Sequence, residues 1–197
     1  MKLLLATKNR DKVKEMRAVL NGLEFELLSA ADLPELPDVV EDAPTLEGNA
    51  VKKAKTLFEI TGIPSIADDT GLEVEALNGA PGVFSSRYSG PNATYADNVR
   101  KLLQETANVP RVKRAAQFRT VVAFVTEAGT ETVEGICAGE IIFEPRGENG
   151  FGYDPVFEVA GTGKTLAEMA LAEKNKISHR GKALQKLAVL IREKASI

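Results

Sequence analysis

The stretch "SIADDTGLEV", residues 65–74, sets two carboxylates side by side, Asp68 and Asp69, where a short apolar run meets a glycine. Ile63 to Ala67 reads as a brief buried strand and Thr70-Gly71 as the turn that ends it. Adjacent carboxylates at a strand end repel unless positive charge comes between them. A divalent metal, a pair of lysines or both could supply that charge. A solvated acidic turn explains the same residues equally well.

Other groups along the chain have the types and spacing for chemistry. In "ATKNRDK" a polar turn between a strand and a helix offers Thr7, Lys8, Asn9, Arg10, Asp11 and Lys12. Backbone N–H groups at a helix start, with a hydroxyl and a lysine nearby, suit a phosphate; helix capping needs the same residue types. In "TLEGNAVKKA" Asn49 and Lys53 are four apart and share a helix face. "GTGKT" at 161–165 suggests a phosphate loop, but Glu158 stands where that motif needs its first glycine, so a turn followed by a Thr165/Glu168 capping box is expected. In "GFGYDP" Phe151 could lie flat on a planar ligand while Asp154 accepts hydrogen bonds from it, or the segment is a tight turn around a packed ring. "SHR" holds the one histidine, His179, beside Arg180, behind Ser178 as a natural cap; two donors at a positive helix end also suit a carbonyl or phosphate oxygen.

The elements that must position these groups are expected in a definite order. Strands at 2–6 and over "FELLSA" flank a helix from Asp11 to Leu20, and a proline-rich acidic loop, "DLPELPDVVEDAP", precedes a helix from about Thr45 to Ile60. A second strand is expected near Leu72 to Ala76, then a long surface loop, "NGAPGVFSSRYSGPN". A capping box at Thr94 and Asp97 opens a helix to about Thr106, and "QFRTVVAFVT" with "ETVEGICAGEIIF" forms a long hairpin across "EAGT". Two helices follow, starting near Thr165 and Ser178. Strands alternating with helices and then a hairpin imply an α/β domain around a mixed sheet.

Composition narrows the class. A chain of 197 residues with 44% hydrophobic and 27% charged residues is an ordinary globular domain, and a net charge of −3 argues against a dedicated nucleic-acid binder. The single cysteine, Cys137, forms no intrachain disulfide and lies in an apolar run that suits an inert core thiol. "MKLLLATKNR" has too short an apolar run for a signal peptide, so a cytoplasmic protein with no membrane segment is expected.

The motifs "ATKNRDK", "NAVKKA", "ADDTGLEVEALNGAPGVFSSRYSG", "GFGYDPVF" and "AEKNKISHRGKAL", in that order and nearly from end to end, resemble the inosine triphosphate pyrophosphatase family. The resemblance implies one elongated mixed α/β domain over 1–197, with two lobes and an active-site cleft between them, and a homodimer. It implies magnesium-dependent hydrolysis of deaminated purine nucleoside triphosphates (ITP, dITP, XTP) to the monophosphate and pyrophosphate. Carried onto this chain, it makes Asp69 the general base, with Asp68 beside it and Mg²⁺ held by Asp69 and Glu41. Lys12, Lys53 and the turn from Thr7 neutralise the phosphates, and Thr70 keeps a hydroxyl where many relatives have serine. Phe151 stacks on the base within the loop of Gly152 and Tyr153, while Asp154, Lys174, His179 and Arg180 meet its polar edge. Donors such as His179 and Arg180 would accept a C6 carbonyl and leave adenine's amino group unpaired, a mismatch worth factors of about 10⁴. A pyrimidine-preferring pyrophosphatase and a non-catalytic nucleotide sensor are the rival readings.

Overall fold

The computed structural model describes residues 2–195. Seven strands form one sheet in the order β2 (Glu26–Ser29), β1 (Lys2–Leu5), β3 (Ser65–Val74), β5 (Ala115–Thr126), β6 (Gly129–Ile141) and β7 (Phe157–Val159), with β4 (Pro81–Gly82) paired to β3. The sheet is mixed, as expected. β1 runs parallel to β2 and β3, whereas β3 with β4 and β6 with β7 are antiparallel. The α-helices among the described residues are α1 (Arg10–Leu20), α2 (Leu46–Thr61), α3 (Tyr95–Glu105), α4 (Leu171–Ile177) and α5 (His179–Ala195).

Helix ends lie where the side chains can close them. Asn9 Oδ1 accepts from the N–H groups of Asp11 and Lys12, and Thr7 Oγ1 accepts from that of Asn9, so capping uses the polar turn before α1. α2 starts behind Thr45, whose hydroxyl takes the Gly48 N–H, and stops at Gly62 in the left-handed region at φ 66°. Thr94 and Asp97 form the expected capping box on α3. The box of Thr165 and Glu168 is also present, but it closes only a 3₁₀ turn at Leu166–Glu168, and the α-helix expected from Thr165 begins at Leu171.

Two compact units emerge from the contacts. The first comprises residues up to Asp69, Thr120–Gly135 and Arg180 onward. Its core packs Leu3, Leu5 and Ile66 with Val13, Met16 and Leu20 of α1 and Leu184, Leu187 and Ile191 of α5. The second comprises Thr70–Arg119 and Ile136–His179, around Leu72, Val74, Phe118, Ile141, Phe157 and Met169. Cys137 lies in this second core, 1% exposed, as a packed thiol.

One strand departs from expectation. Thr70-Gly71 is not a turn, and Ser65 to Val74 is a single ten-residue strand. The glycine serves a close approach of β4: a Cβ on Gly71 would stand 2.8 Å from the carbonyl oxygen of Gly82. The segment expected as a long surface loop is pinned beneath it. Buried Ser85 accepts the Leu72 N–H at 2.9 Å and donates to Gly82 O at 2.6 Å. Gly71→Ala is therefore expected to destabilise the fold by about 1 to 3 kcal/mol through overpacking. Thermal unfolding measures it, and an unchanged Tm would mean β4 yields freely.

Candidate active site

Because β3 continues through the paired aspartates, successive side chains point to opposite faces of the sheet. Asp68 meets α1 and α5, and Asp69 meets α2. Lys12 Nζ of α1 lies 3.2 Å from Asp68 Oδ1, and Arg180 Nε of α5 donates to Oδ2 at 3.0 Å. The same guanidinium donates through Nη1 to Glu15 Oε2 at 2.5 Å. Asp68, Arg180 and Glu15 are all buried. Burial alone would push the Asp68 carboxyl up, yet Lys12, Arg180 and Lys53 together hold it well below the usual carboxylate range. Burial lowers the Lys12 ammonium, and the positive charges of Lys53 and Arg180 add to that against the pull of Asp68.

On the other face, Asn49 and Lys53 share one side of α2, as their spacing requires, and both reach Asp69. Asn49 Nδ2 donates to Asp69 Oδ2 at 3.1 Å, and Lys53 Nζ lies 3.5 Å from Oδ1. The ammonium also donates to Glu41 Oε1 at 2.5 Å and to the backbone oxygen of Asp68 at 2.7 Å. Asp69 differs from its neighbour in its titration. Burial raises its carboxyl, the Glu41 charge adds to that, and Lys53 offsets only part. Lys53 itself is held above its ordinary value because Asp69, Asp68 and Glu41 outweigh its burial.

Glu41 and Asp69 thus face one ammonium, where the protein already stabilises positive charge. Two carboxylates of this kind suit Mg²⁺, which takes one or two protein carboxylates and completes its shell with water and phosphate oxygens. Among the described residues no group of three or more His, Cys, Asp or Glu side chains gathers to hold a metal.

In the second unit, Asp154 organises the "GFGYDP" segment. Its Oδ2 accepts from the Phe151 N–H at 2.9 Å and from Lys174 Nζ at 2.5 Å. Gly150, left-handed at φ 72°, leaves room for that carboxylate, where a Cβ would overlap it. Gly152 is left-handed as well, at φ 63°. Lys174 Nζ lies 5.0 Å from the Phe151 ring centre and the Tyr95 ring 5.8 Å from it. A half-buried ring beside a buried ion pair has the chemistry to take a planar polar group. Tyr153 is buried and donates to Ser85 O at 2.9 Å, so its hydroxyl serves the scaffold. His179 is buried and stacks on Phe118, ring centres 4.4 Å apart.

Arg180, expected with His179 at the polar edge of the base, has its guanidinium on Asp68 and Glu15. The pairing satisfies a cation that would otherwise be buried alone. Lys8 pairs with Asp38 at 3.1 Å, Arg10 and Asp11 are exposed on the first turn of α1, and Thr70 is half-buried in β3. Two residues of consequence escaped the sequence reading. Glu15 lies beside Met16 on the buried face of α1, where a charged residue among Val13, Met16 and Leu20 signals a buried partner. Asn49 was placed on the right helix face but given no task.

A profile of the Ham1 family matches residues 3–190. The chain is 50% identical over 184 residues to a dITP/XTP pyrophosphatase of Geobacter sulfurreducens, covering 93% of this chain and 92% of the relative. It is 48% identical to the dITP/XTP pyrophosphatase of Elusimicrobium minutum, covering 98% of this chain and all 100% of that one. Among solved structures it resembles a HAM1 protein from Coxiella burnetii (TM-score 0.88, 42% identity, covering 98% of this chain and 99% of that one). The Staphylococcus aureus Ham1 protein is similar too (TM-score 0.87, 34% identity, 98% of this chain and 100% of that one).

The two aspartates have opposite pH signatures. A carboxyl whose folded pKa is depressed stabilises the fold above its unfolded value, about 3.9, and that contribution fades as the pH falls toward the folded value. Asp68 is of this kind. A raised carboxyl such as Asp69 has the reverse sign, since its stabilising protonated form is lost as the pH rises. At pH 7 Asp68→Asn is expected to lose about 3 to 5 kcal/mol, because it leaves the Lys12 ammonium without its carboxylate and the buried Arg180 with that of Glu15 but not that of Asp68. Asp69→Asn is expected to keep or raise Tm. Parallel thermal melts check this, and equal losses would contradict the separation.

Proposed function

Because the chain belongs to the Ham1 family, we propose that it hydrolyses deaminated purine nucleoside triphosphates, dITP, ITP and XTP, to the nucleoside monophosphate and pyrophosphate. The observation that carries this reading is the division of the aspartate pair. One carboxylate is tied among cations, and its neighbour, raised above the usual carboxylate value by burial, stands beside a lysine and a second carboxylate.

In this mechanism Asp69 accepts the proton of a water whose oxygen attacks the α-phosphorus. The bond from that phosphorus to the bridging oxygen breaks, and pyrophosphate departs with the electron pair. A general base of this kind contributes about 10² to 10⁴ in rate. Asp69 and Glu41 would hold Mg²⁺, whose charge offsets that of the phosphates when bound. Lys53 and Lys12 place ammonium groups against the charge that develops on the leaving pyrophosphate. Lys8 and Arg10, exposed near the start of α1, add to the attraction for a polyanion. Asp68 keeps Lys12 in place, and Arg180 keeps Asp68 in place.

Phe151 offers a face to the purine, and Asp154 with Lys174 presents an acceptor and a donor to its polar edge. A pocket whose buried polar groups match a C6 carbonyl rejects an amino group there, since the mismatch leaves both partners unpaired. The reading also carries magnesium dependence, a homodimer as the resemblance implies, and work in the reducing cytoplasm. The lone buried thiol suits that compartment. No helix among the described residues is long and apolar enough to cross a membrane.

A turnover panel of triphosphates with product identification tests the proposal. dITP and XTP should be cleaved far faster than ATP, yielding monophosphate and pyrophosphate. Asp69→Asn should lose about 10² to 10⁴ in kcat. Release of inorganic phosphate with a diphosphate product, or equal turnover of ATP, would overturn it.

A further inference from the structure

Asn49 is fully buried, and both ends of its amide are engaged. Nδ2 donates to Asp69 Oδ2 at 3.1 Å, and Oδ1 accepts the N–H of Ala43 at 2.9 Å. The orientation of the amide follows from chemistry. An ionised carboxylate only accepts and a backbone N–H only donates, so no flipped amide could serve both. Ala43 lies in the acidic loop, two residues from Glu41, and the helix makes room for it. A Cβ on Gly48 would stand 2.8 Å from the Ala43 Cβ. The loop and the strand therefore meet at one side chain of α2.

We propose that Asn49 is the positioning residue of the catalytic centre: by bonding Asp69 and the Ala43 N–H at once, it fixes the separation of the Asp69 and Glu41 carboxylates and so sets the cation site between them. The inference deepens the pyrophosphatase reading and rests on it. The alternatives for this position explain less. A helix residue wanted only for packing would be apolar, and a residue wanted only to fasten the loop would need no second bond to a carboxylate. An amide donates from one atom and accepts at another, so it bridges two partners that lie farther apart than a single hydroxyl can reach. Residues that orient metal-binding carboxylates typically govern affinity or activity by about 10- to 100-fold. Lys53, one turn further along α2, touches the same two carboxylates, so the helix presents one residue for their charge and another for their geometry.

Two variants separate the two bonds. Asn49→Ser is too short to span them. Its Ala43 amide should exchange with deuterium about tenfold faster or more, while the amides of β3 keep their protection. The Mg²⁺ concentration giving half-maximal dITP turnover should rise about 10- to 100-fold. Asn49→Asp has nearly the same size and can still accept the Ala43 N–H, but it sets an anion against Asp69. Protection at Ala43 should survive there while turnover at saturating Mg²⁺ falls. Unchanged exchange at Ala43 in Asn49→Ser would overturn the proposal, as would an unchanged Mg²⁺ requirement or wild-type turnover by Asn49→Asp. A wild-type enzyme that fails to hydrolyse dITP would instead sink the pyrophosphatase reading, and the exchange experiment would still test whether Asn49 holds the loop.

Discussion

Two carboxylates on successive residues can be buried together only if they do not share an environment. A strand supplies that separation, because its side chains alternate between faces. In β3 the alternation sends Asp68 to Lys12 and Arg180, and Asp69 to Asn49 and Lys53. Each helix that touches the pair thus has a distinct duty. α1 and α5 bring Lys12 and Arg180 to one aspartate, and α2 brings Asn49 and Lys53 to its neighbour, whose carboxyl burial and Glu41 still leave raised. The two neighbours thus differ in proton affinity because burial and Glu41 act on Asp69 while cations surround Asp68.

This arrangement needs β3 to run unbroken past Asp69, and the requirement reaches well beyond the acids. Gly71 must lack a side chain so that Gly82 can approach, and Ser85 must take the Leu72 N–H so that the following segment stays against the strand. The Ser85 carbonyl in turn receives the Tyr153 hydroxyl, which ties the Phe151 and Asp154 segment to the same scaffold. A glycine and a serine thereby hold in place the segments that carry the candidate site.

Local features of the fold were legible in the sequence because their causes are local. The polar turn at Asn9 and the Thr94–Asp97 box each close a helix end through bonds within a few residues. The four-residue spacing of Asn49 and Lys53 likewise showed that they share a face. What escaped was nonlocal. Whether Gly71 turns the chain or admits a neighbour depends on where Gly82 goes, and nothing near Gly71 states it. The partner of Arg180 was equally hidden, since Glu15 lies 165 positions away along the chain. For the candidate site, the order of motifs singles out Asp68, Asp69, Lys12 and Lys53, which the fold brings together. The division of labour within the aspartate pair emerged only once β3 was seen to continue through them.

A general base at Asp69 requires water to attack the α-phosphorus, and isotope placement shows which phosphorus the water strikes. Hydrolysis of dITP in water enriched in ¹⁸O, followed by mass spectrometry of both products, should put one labelled oxygen in the nucleoside monophosphate and none in the pyrophosphate. Label in the pyrophosphate would mean that the water strikes the β-phosphorus, and would contradict the assignment of Asp69.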